Sequence, residues 1–194
     1  KGKICIKRSQ CFGTIFIEGT STLNTLSMKM RKELNSAFDS LSKDETIHVV
    51  ILRGSGEKDF CSGSDLEELM ETTTTIAQNL YEDISAPQRC SKPVIAAVDG
   101  NCADVGLEIV LSCDFIIATE QSYFSFPGIL SGFIPGSGGV QRIIRRIGLT
   151  RGTNILMRGE KIQAEEAADW GLIPGAVPAK DFQLTLKTFT NELS

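Results

Sequence analysis

Histidine and tryptophan occur once each and tyrosine twice in this 194-residue chain. A single imidazole excludes metal centres built on several histidines and leaves little for Ser-His or Cys-His nucleophile pairs. That residue, His48, opens the apolar stretch "HVVILRG" with no serine or cysteine nucleophile beside it in sequence, and it reads as a structural residue at a strand edge. The six cysteines (Cys5, Cys11, Cys61, Cys90, Cys102 and Cys113) form no CxxC pair and have no neighbouring histidine. This spacing speaks against a zinc site, predicts no metal, and argues against a disulfide-dense scaffold, so a reducing compartment such as the cytoplasm is expected. No apolar run approaches the length of a membrane span, and "KGKICIKRSQ" lacks a signal-peptide profile. The chain opens on Lys1 rather than Met, so a targeting segment could be missing from it. Charge of one sign is also scarce. With 20 Lys+Arg against 24 Asp+Glu the net charge is −4, and no overall basic field recruits nucleic acid. The local basic groups Lys29–Arg31–Lys32 and Arg142–Arg145–Arg146 are expected to be solvated helix faces. No internal repeat or low-complexity tract is present.

What remains is an ordinary globular composition, 41% hydrophobic and 23% charged. It supports one core and one domain over residues 1–194. "ICIKRSQCFGTIFIEG" alternates as two short strands, Ile4–Lys7 and Thr14–Glu18, joined around Gly13. Met30, Leu34, Ala37, Phe38 and Leu41 recur at helical spacing behind a Ser27 N-cap. "HVVILRG" reads as a short, continuously apolar strand buried on both faces, "PVIAAVDG" as another buried strand and "FIIAT" as a further strand. Between them lie a short helix from about Leu66, a polar helix over roughly 75–91 that ends before Pro93, and the buried helix "VGLEIVLSC". "FPGILSGFIPGSGGVQRIIRRIG" is a glycine-rich loop entering an amphipathic helix with Ile143, Ile144 and Ile147 on one side. Two short helices flank Gly159, and residues 181–194 begin another. Strands alternating with helices make the class α/β.

Two turns carry possible chemistry. In "FCSGSDL" a glycine between serines permits a sharp turn that leaves backbone N–H groups unpaired, suited to an anion or a polarised carbonyl. A plain serine-rich turn with Asp65 capping the next helix fits equally. In "ADVGLEI" the start of a helix offers further free N–H groups, and Glu108 lies one turn in. Glu108 is either a first-turn acid that satisfies the helix dipole or a buried proton carrier. "IPGSGGVQR" lacks both the Gly-Lys-Ser/Thr ending of a P-loop and a dinucleotide fingerprint, which argues against nucleotide hydrolysis.

Taken in order, "LNTLSMKMRKEL", "VVILRGSGEKDFCSGSDLEEL", "KPVIAAVDGNCADVGLEIVLSCDFIIATEQSYFSFPGILSGFIPGSGGVQRIIRRIG" and "GEKIQAEEAADWGLI" resemble the crotonase (enoyl-CoA hydratase/isomerase) superfamily across almost the whole chain. The resemblance implies a crotonase-like (ClpP/crotonase) spiral of ββα units in two roughly perpendicular sheets, here lacking the C-terminal helices. It implies an enzyme acting on acyl-CoA or acyl-carrier-protein thioesters through an enolate held by two backbone N–H groups. Coenzyme A or phosphopantetheine enters as part of the substrate, not as a separate cofactor, and assembly is expected as a homotrimer or hexamer. Matched by motif, the donors are the N–H groups of Ser64 and Val105, and Glu108 is the acid–base residue. Phe60, Cys61, Ser62, Gly63 and Leu66 border the nucleotide and pantetheine arm, and the Gly136 N–H can hold a water or a substrate carboxylate.

The chain departs from the family pattern at two places. Hydratases place a second glutamate after the Phe-Pro pair, where this chain has Gly128, which makes room for a carboxylate-bearing substrate. The family's consecutive glycines are replaced by Asp104 and Val105, and a β-branched residue disfavours positive φ. Asp104 caps the helix or supplies a compensating acid or base. The leading expectation is hydration or isomerisation of an enoyl thioester. The alternatives are a decarboxylase or dehydratase of a β-branched carboxylated acyl thioester, as in polyketide assembly, and a non-catalytic thioester or partner binder. RNA binding, known in one branch of the family, is disfavoured by the acidic balance.

Overall fold

The computed structural model describes residues 2–19, 23–55, 59–65, 68 and 84–194. The first hairpin pairs β1 (Lys3–Ser9) with β2 (Phe12–Glu18), and the turn falls at Gln10–Cys11 rather than at Gly13. Gln10 takes the positive φ of 53°. Gly13 lies inside β2 for a packing reason: a Cβ there would stand 2.7 Å from the Leu41 side chain. Leu41 belongs to α1 (Met28–Lys43), whose buried stripe is Met30, Arg31, Leu34, Ala37, Phe38 and Leu41. Ser27 caps it, its side chain accepting the Met30 N–H at 3.2 Å.

Three consecutive strand pairs then build two sheets at once. The long strands β3 (Val49–Gly54), β5 (Val94–Val98) and β7 (Phe115–Thr119) extend the first sheet. With β10 (Ala176–Val177) at its edge, its order is β1-β2-β3-β5-β7-β10. Each long strand is followed by a three-residue strand of the second sheet: β4 (Asp59–Cys61), β6 (Asn101–Ala103) and β8 (Tyr123–Ser125). With β9 (Ile162–Gln163) these form the order β4-β6-β8-β9. Apart from the β1–β2 hairpin and the β8–β9 pair, neighbours run parallel, as strands joined by crossovers must.

The remaining helices cover the faces of these sheets. After the short α2 (Ala86–Arg89) come α3 (Val105–Leu111), α4 (Gly139–Ile147), α5 (Leu149–Arg158) and α6 (Ala164–Asp169). Gly159 ends α5 in the left-handed conformation, as its place between two helical patterns predicts. The final helix, α7 (Phe182–Glu192), lays Phe182 and Leu186 over Val49, Ile51, Ile95, Ala97 and Ile117. It closes the second face of the large sheet, which explains why those strands are apolar on both sides. Of the polar helix expected over 75–91, Ala86–Arg89 is helical, Ile84, Ser85, Cys90 and Ser91 are not, and the rest lies outside the described residues, as does the expected start at Leu66. Among the described residues no helix is long and apolar enough to cross a membrane.

Candidate functional site

The site forms where two adjacent strands of the small sheet end. β4 and β6 run parallel, with Asp59 opposite Asn101 and Cys61 opposite Cys102, so both chains leave the sheet at the same edge. β4 exits into Ser62-Gly63-Ser64 and β6 into Asp104-Val105. The turns touch: a Cβ on Gly63 would lie 3.1 Å from Asp104 Cβ, and one on Gly106 would lie 2.3 Å from the Cys61 carbonyl oxygen. Glycine at 106 is what lets α3 start this close to β4.

The first turn is fixed by α1 and the segment that leads into it. The Leu26 N–H donates to the Gly63 carbonyl at 2.8 Å and the Asp65 N–H to the Leu26 carbonyl at 3.0 Å. Gly63 takes φ +110°, a conformation open to glycine and strained for other residues. Beneath it Arg31, 1% exposed, donates from Nη2 to Ser64 Oγ at 2.6 Å. This corrects the expectation that Lys29, Arg31 and Lys32 form one solvated face: the lysines are exposed, but the arginine enters the core under the Ser64 turn. Asn24 does similar work, its Nδ2 donating to the Phe60 carbonyl at 2.6 Å from a buried position. Neither Arg31 nor Asn24 was legible as a site residue, because a polar residue on an amphipathic helix or loop carries no sign of which way it points.

Among the described residues no acceptor takes the Ser64 N–H, and none takes the Val105 N–H at the head of α3. The unusual backbone stands one residue before the valine. Val105 has no positive φ and its side chain packs against the main core, whereas Asp104 has φ 45° and ψ −117°. That is the glycine-type geometry at the first corner of a type II′ turn. Holding a non-glycine residue there costs about 1–3 kcal/mol. Asp104 occupies the N-cap position but its side chain makes no cap bond, so the capping expectation fails. Its Oδ1 instead accepts the Gly128 N–H at 3.0 Å. The room expected beside Gly128 is correspondingly small, since a Cβ there would meet Asp104 Oδ1 at 3.0 Å and Phe133 Cβ at 3.3 Å.

Glu108, one turn into α3, is 4% exposed. Its Oε1 accepts the N–H of Ser137 at 2.8 Å and of Gly139 at 3.0 Å. Burial pushes its pKa above the ordinary carboxylate range, against the pull of the Gly139 and Ser137 N–H groups and the charges of Arg31 and Arg142. Arg142 also shapes the loop, donating from Nη1 to the Ser137 carbonyl at 2.7 Å. Arg146 donates to the Cys113 carbonyl at 2.8 Å. Two of the three arginines expected on a solvated face therefore hold loops, while Arg145 is exposed.

Gly136 is exposed and makes none of these bonds; its neighbours Ser137 and Gly139 supply the N–H groups that reach Glu108. Phe60 and Cys61 are core residues, 1% and 0% exposed, their side chains packed in the main hydrophobic cluster. Burial holds the Cys61 thiol protonated, its pKa raised to about 12. Ser62 is half-buried and is held by Asp59 and Asn101. Leu66 lies outside the described residues. All six cysteines are free thiols, and among the described residues no cluster of three His, Cys, Asp or Glu could hold a metal.

A pH dependence of stability follows from Glu108. Its folded pKa is raised, so the folded state binds more protons than the unfolded one from the ordinary value, 4.5, up to the folded value. Its contribution to stability is present below that window and is lost as pH rises through it. Glutamine at 108 keeps the oxygen that the two N–H groups need but never ionises. The expected result is a higher Tm for Glu108→Gln than for wild type at pH 7. The difference shrinks as the buffer is taken to pH 4.5, measured by thermal denaturation.

The chain resembles known proteins along almost its whole length. The family model for enoyl-CoA hydratase/isomerase matches residues 8–194. A protein of Dictyostelium discoideum described as a probable mitochondrial enoyl-CoA hydratase is 36% identical over 174 residues, covering 87% of this chain. The chain spans only 61% of that relative's length. A probable enoyl-CoA hydratase of Mycobacterium tuberculosis is 33% identical, with 92% of this chain and 70% of the relative aligned. Among solved structures, enoyl-CoA hydratase from Bacillus anthracis superposes with a TM-score of 0.92 at 28% identity, over 98% of this chain and 76% of that one.

Proposed function

Because the chain belongs to the enoyl-CoA hydratase/isomerase family and has its crotonase fold, we propose that it hydrates or isomerises an enoyl-CoA thioester through an enolate. The observation that carries this reading is the pair of N–H groups, Ser64 and Val105, that have no acceptor among the described residues, on touching turns, the second of which leads into the helix carrying the buried Glu108 carboxyl.

The chemistry follows from where charge develops. When water's oxygen bonds to Cβ of the enoyl group, its proton passes to Glu108. The C=C electron pair shifts toward the thioester, and negative charge gathers on the carbonyl oxygen. Amides fixed around that oxygen stabilise the enolate more than the neutral thioester, and one such donor is worth about 2.7–4 kcal/mol. A proton added at Cα completes the 3-hydroxyacyl thioester. Glu108 suits its part because burial raises its pKa toward neutrality, where a carboxyl exchanges protons most effectively. The two N–H groups on Oε1 leave Oε2 to meet water.

The decarboxylase alternative loses support from the geometry at Gly128. A carboxylated substrate placed there would meet the Asp104 carboxyl and Phe133 rather than open space.

The test is turnover by purified protein of crotonyl-CoA and, in parallel, glutaconyl-CoA. Loss of the enoyl absorbance with crotonyl-CoA is expected, with no carbon dioxide released from glutaconyl-CoA. Calorimetric binding of crotonyl-CoA without turnover would instead identify a thioester binder.

A further inference from the structure

We propose that the Asp104 carboxyl is the second proton carrier of this site, exchanging a proton with the thioester Cα while Glu108 serves the water at Cβ. The inference rests on the acyl-thioester activity proposed for the chain.

Its placement comes from three contacts. Oδ1 accepts the Gly128 N–H at 3.0 Å and lies 3.0 Å from where a Cβ at 128 would stand. Oδ2 turns toward the other turn, 3.6 Å from where a Gly63 Cβ would stand, and makes no hydrogen bond among the described residues. Asp104 itself immediately precedes Val105, as Gly63 precedes Ser64. The carboxyl therefore sits beside the residues that lead into both proposed donors. On this proposal a thioester carbonyl held by those donors brings its Cα, one bond from the carbonyl carbon, to Oδ2. At position 128 the chain offers only a glycine, so Asp104 delivers from the opposite turn a carboxyl that position 128 lacks.

Burial raises the Asp104 pKa against the pull of the Gly128 N–H, which favours the protonated form that a donor to carbon needs. In the hydration direction the Asp104 acid gives its proton to Cα as the enolate pair forms the new C–H bond. Asp104 is left as carboxylate and Glu108 as acid, and proton exchange with solvent resets both. The glycine-type backbone at Asp104 fits the same role, since its positive φ directs the carboxyl between the two turns and the surrounding contacts hold it there.

The experiment separates proton transfer at Cα from water addition. Purified wild type is incubated with butyryl-CoA in D2O to follow deuterium entering Cα, and with crotonyl-CoA to follow hydration. Asp104→Asn retains an oxygen for the Gly128 N–H but carries no acidic proton. It is expected to lower both rates by about 10²–10⁴-fold, with KM for crotonyl-CoA within about threefold of wild type. Asp104→Gly, which frees the backbone, should lose the same activity without a lower Tm, and it serves if the asparagine variant does not fold. Asp104→Gly combined with Gly128→Glu should regain at least about tenfold of the lost rate, the glutamate then entering space that Asp104 has vacated. Either single variant staying within about threefold of wild type, with Glu108→Gln inactive, would overturn the inference and leave the functional reading standing. A wild type that neither hydrates crotonyl-CoA nor exchanges butyryl-CoA would overturn both.

Discussion

Glu108→Gln is expected to reduce hydration of crotonyl-CoA by about 10²–10⁴-fold, the range for losing a positioned acid–base group. The substitution is mild in every other respect. Glutamine has the same length, and its side-chain oxygen still accepts the N–H groups of Ser137 and Gly139. The 137–139 loop stays in place, helped by the bond from Arg142 to the Ser137 carbonyl. What disappears is the capacity to take a proton from water as its oxygen bonds to Cβ. Binding of crotonyl-CoA, read by calorimetry, should stay within about threefold, because Glu108 serves the attacking water while the thioester carbonyl is held by the backbone amides. A kcat unchanged by the substitution would remove Glu108 from the chemistry and return it to the role of a first-turn acid. Gly139→Ala is a complementary disturbance. Its Cβ would stand 2.7 Å from Glu108 Cγ and 2.9 Å from Oε1, so the carboxyl would move although it keeps its charge.

How much of the fold and site was legible in the sequence depended on the length of each pattern. The buried stripe of α1 recurs over about three turns, β5 is an unbroken apolar run and β7 is apolar up to Thr119, so these elements stood out. The small sheet did not, because β4, β6 and β8 have three residues each and cannot display a period. Yet that sheet builds the site. Its parallel β4–β6 pair brings the Gly63 and Asp104 turns together, a long-range contact that no local pattern encodes. Ser64, Val105 and Glu108 were reachable only through the joint order of several motifs, and the structure gathers them at one edge. Asp104 shows a different limit. A polar residue before a helix ordinarily caps it, but here the positive φ turns the side chain away from the helix and onto the Gly128 amide. Gly13 shows the converse, a glycine that reads as a turn but makes way for Leu41.

Gly106→Ala is expected to be among the most damaging single substitutions in the chain, although it adds only one methyl group and changes no charge. The new Cβ would stand 2.3 Å from the Cys61 carbonyl oxygen and 2.8 Å from Cys61 Cβ, and the nearest of these atoms is backbone within a strand. A flexible side chain could swing away; β4, paired with β6 and buried, cannot. Relief has to come from α3, whose first turn carries Val105 and, one residue earlier, Asp104. Overpacking of this kind costs about 1–3 kcal/mol in stability, read as a lower midpoint in denaturant. The functional loss should be separate and larger in relative terms. Moving α3 away from β4 widens the gap between the Val105 and Ser64 amides, and an oxyanion held by one donor instead of two forfeits about 2.7–4 kcal/mol of transition-state stabilisation. That corresponds to a fall of about 10²–10³ in kcat on crotonyl-CoA, with the folded fraction held above about nine-tenths by working well below the melting temperature. The comparison that isolates the cause is Gly175→Ala, whose Cβ would meet nothing within 4 Å and which lies outside the site. If the two alanines proved equally harmless to kcat, the contact of α3 with β4 would have no bearing on turnover, and the paired-amide account of catalysis would have to be given up.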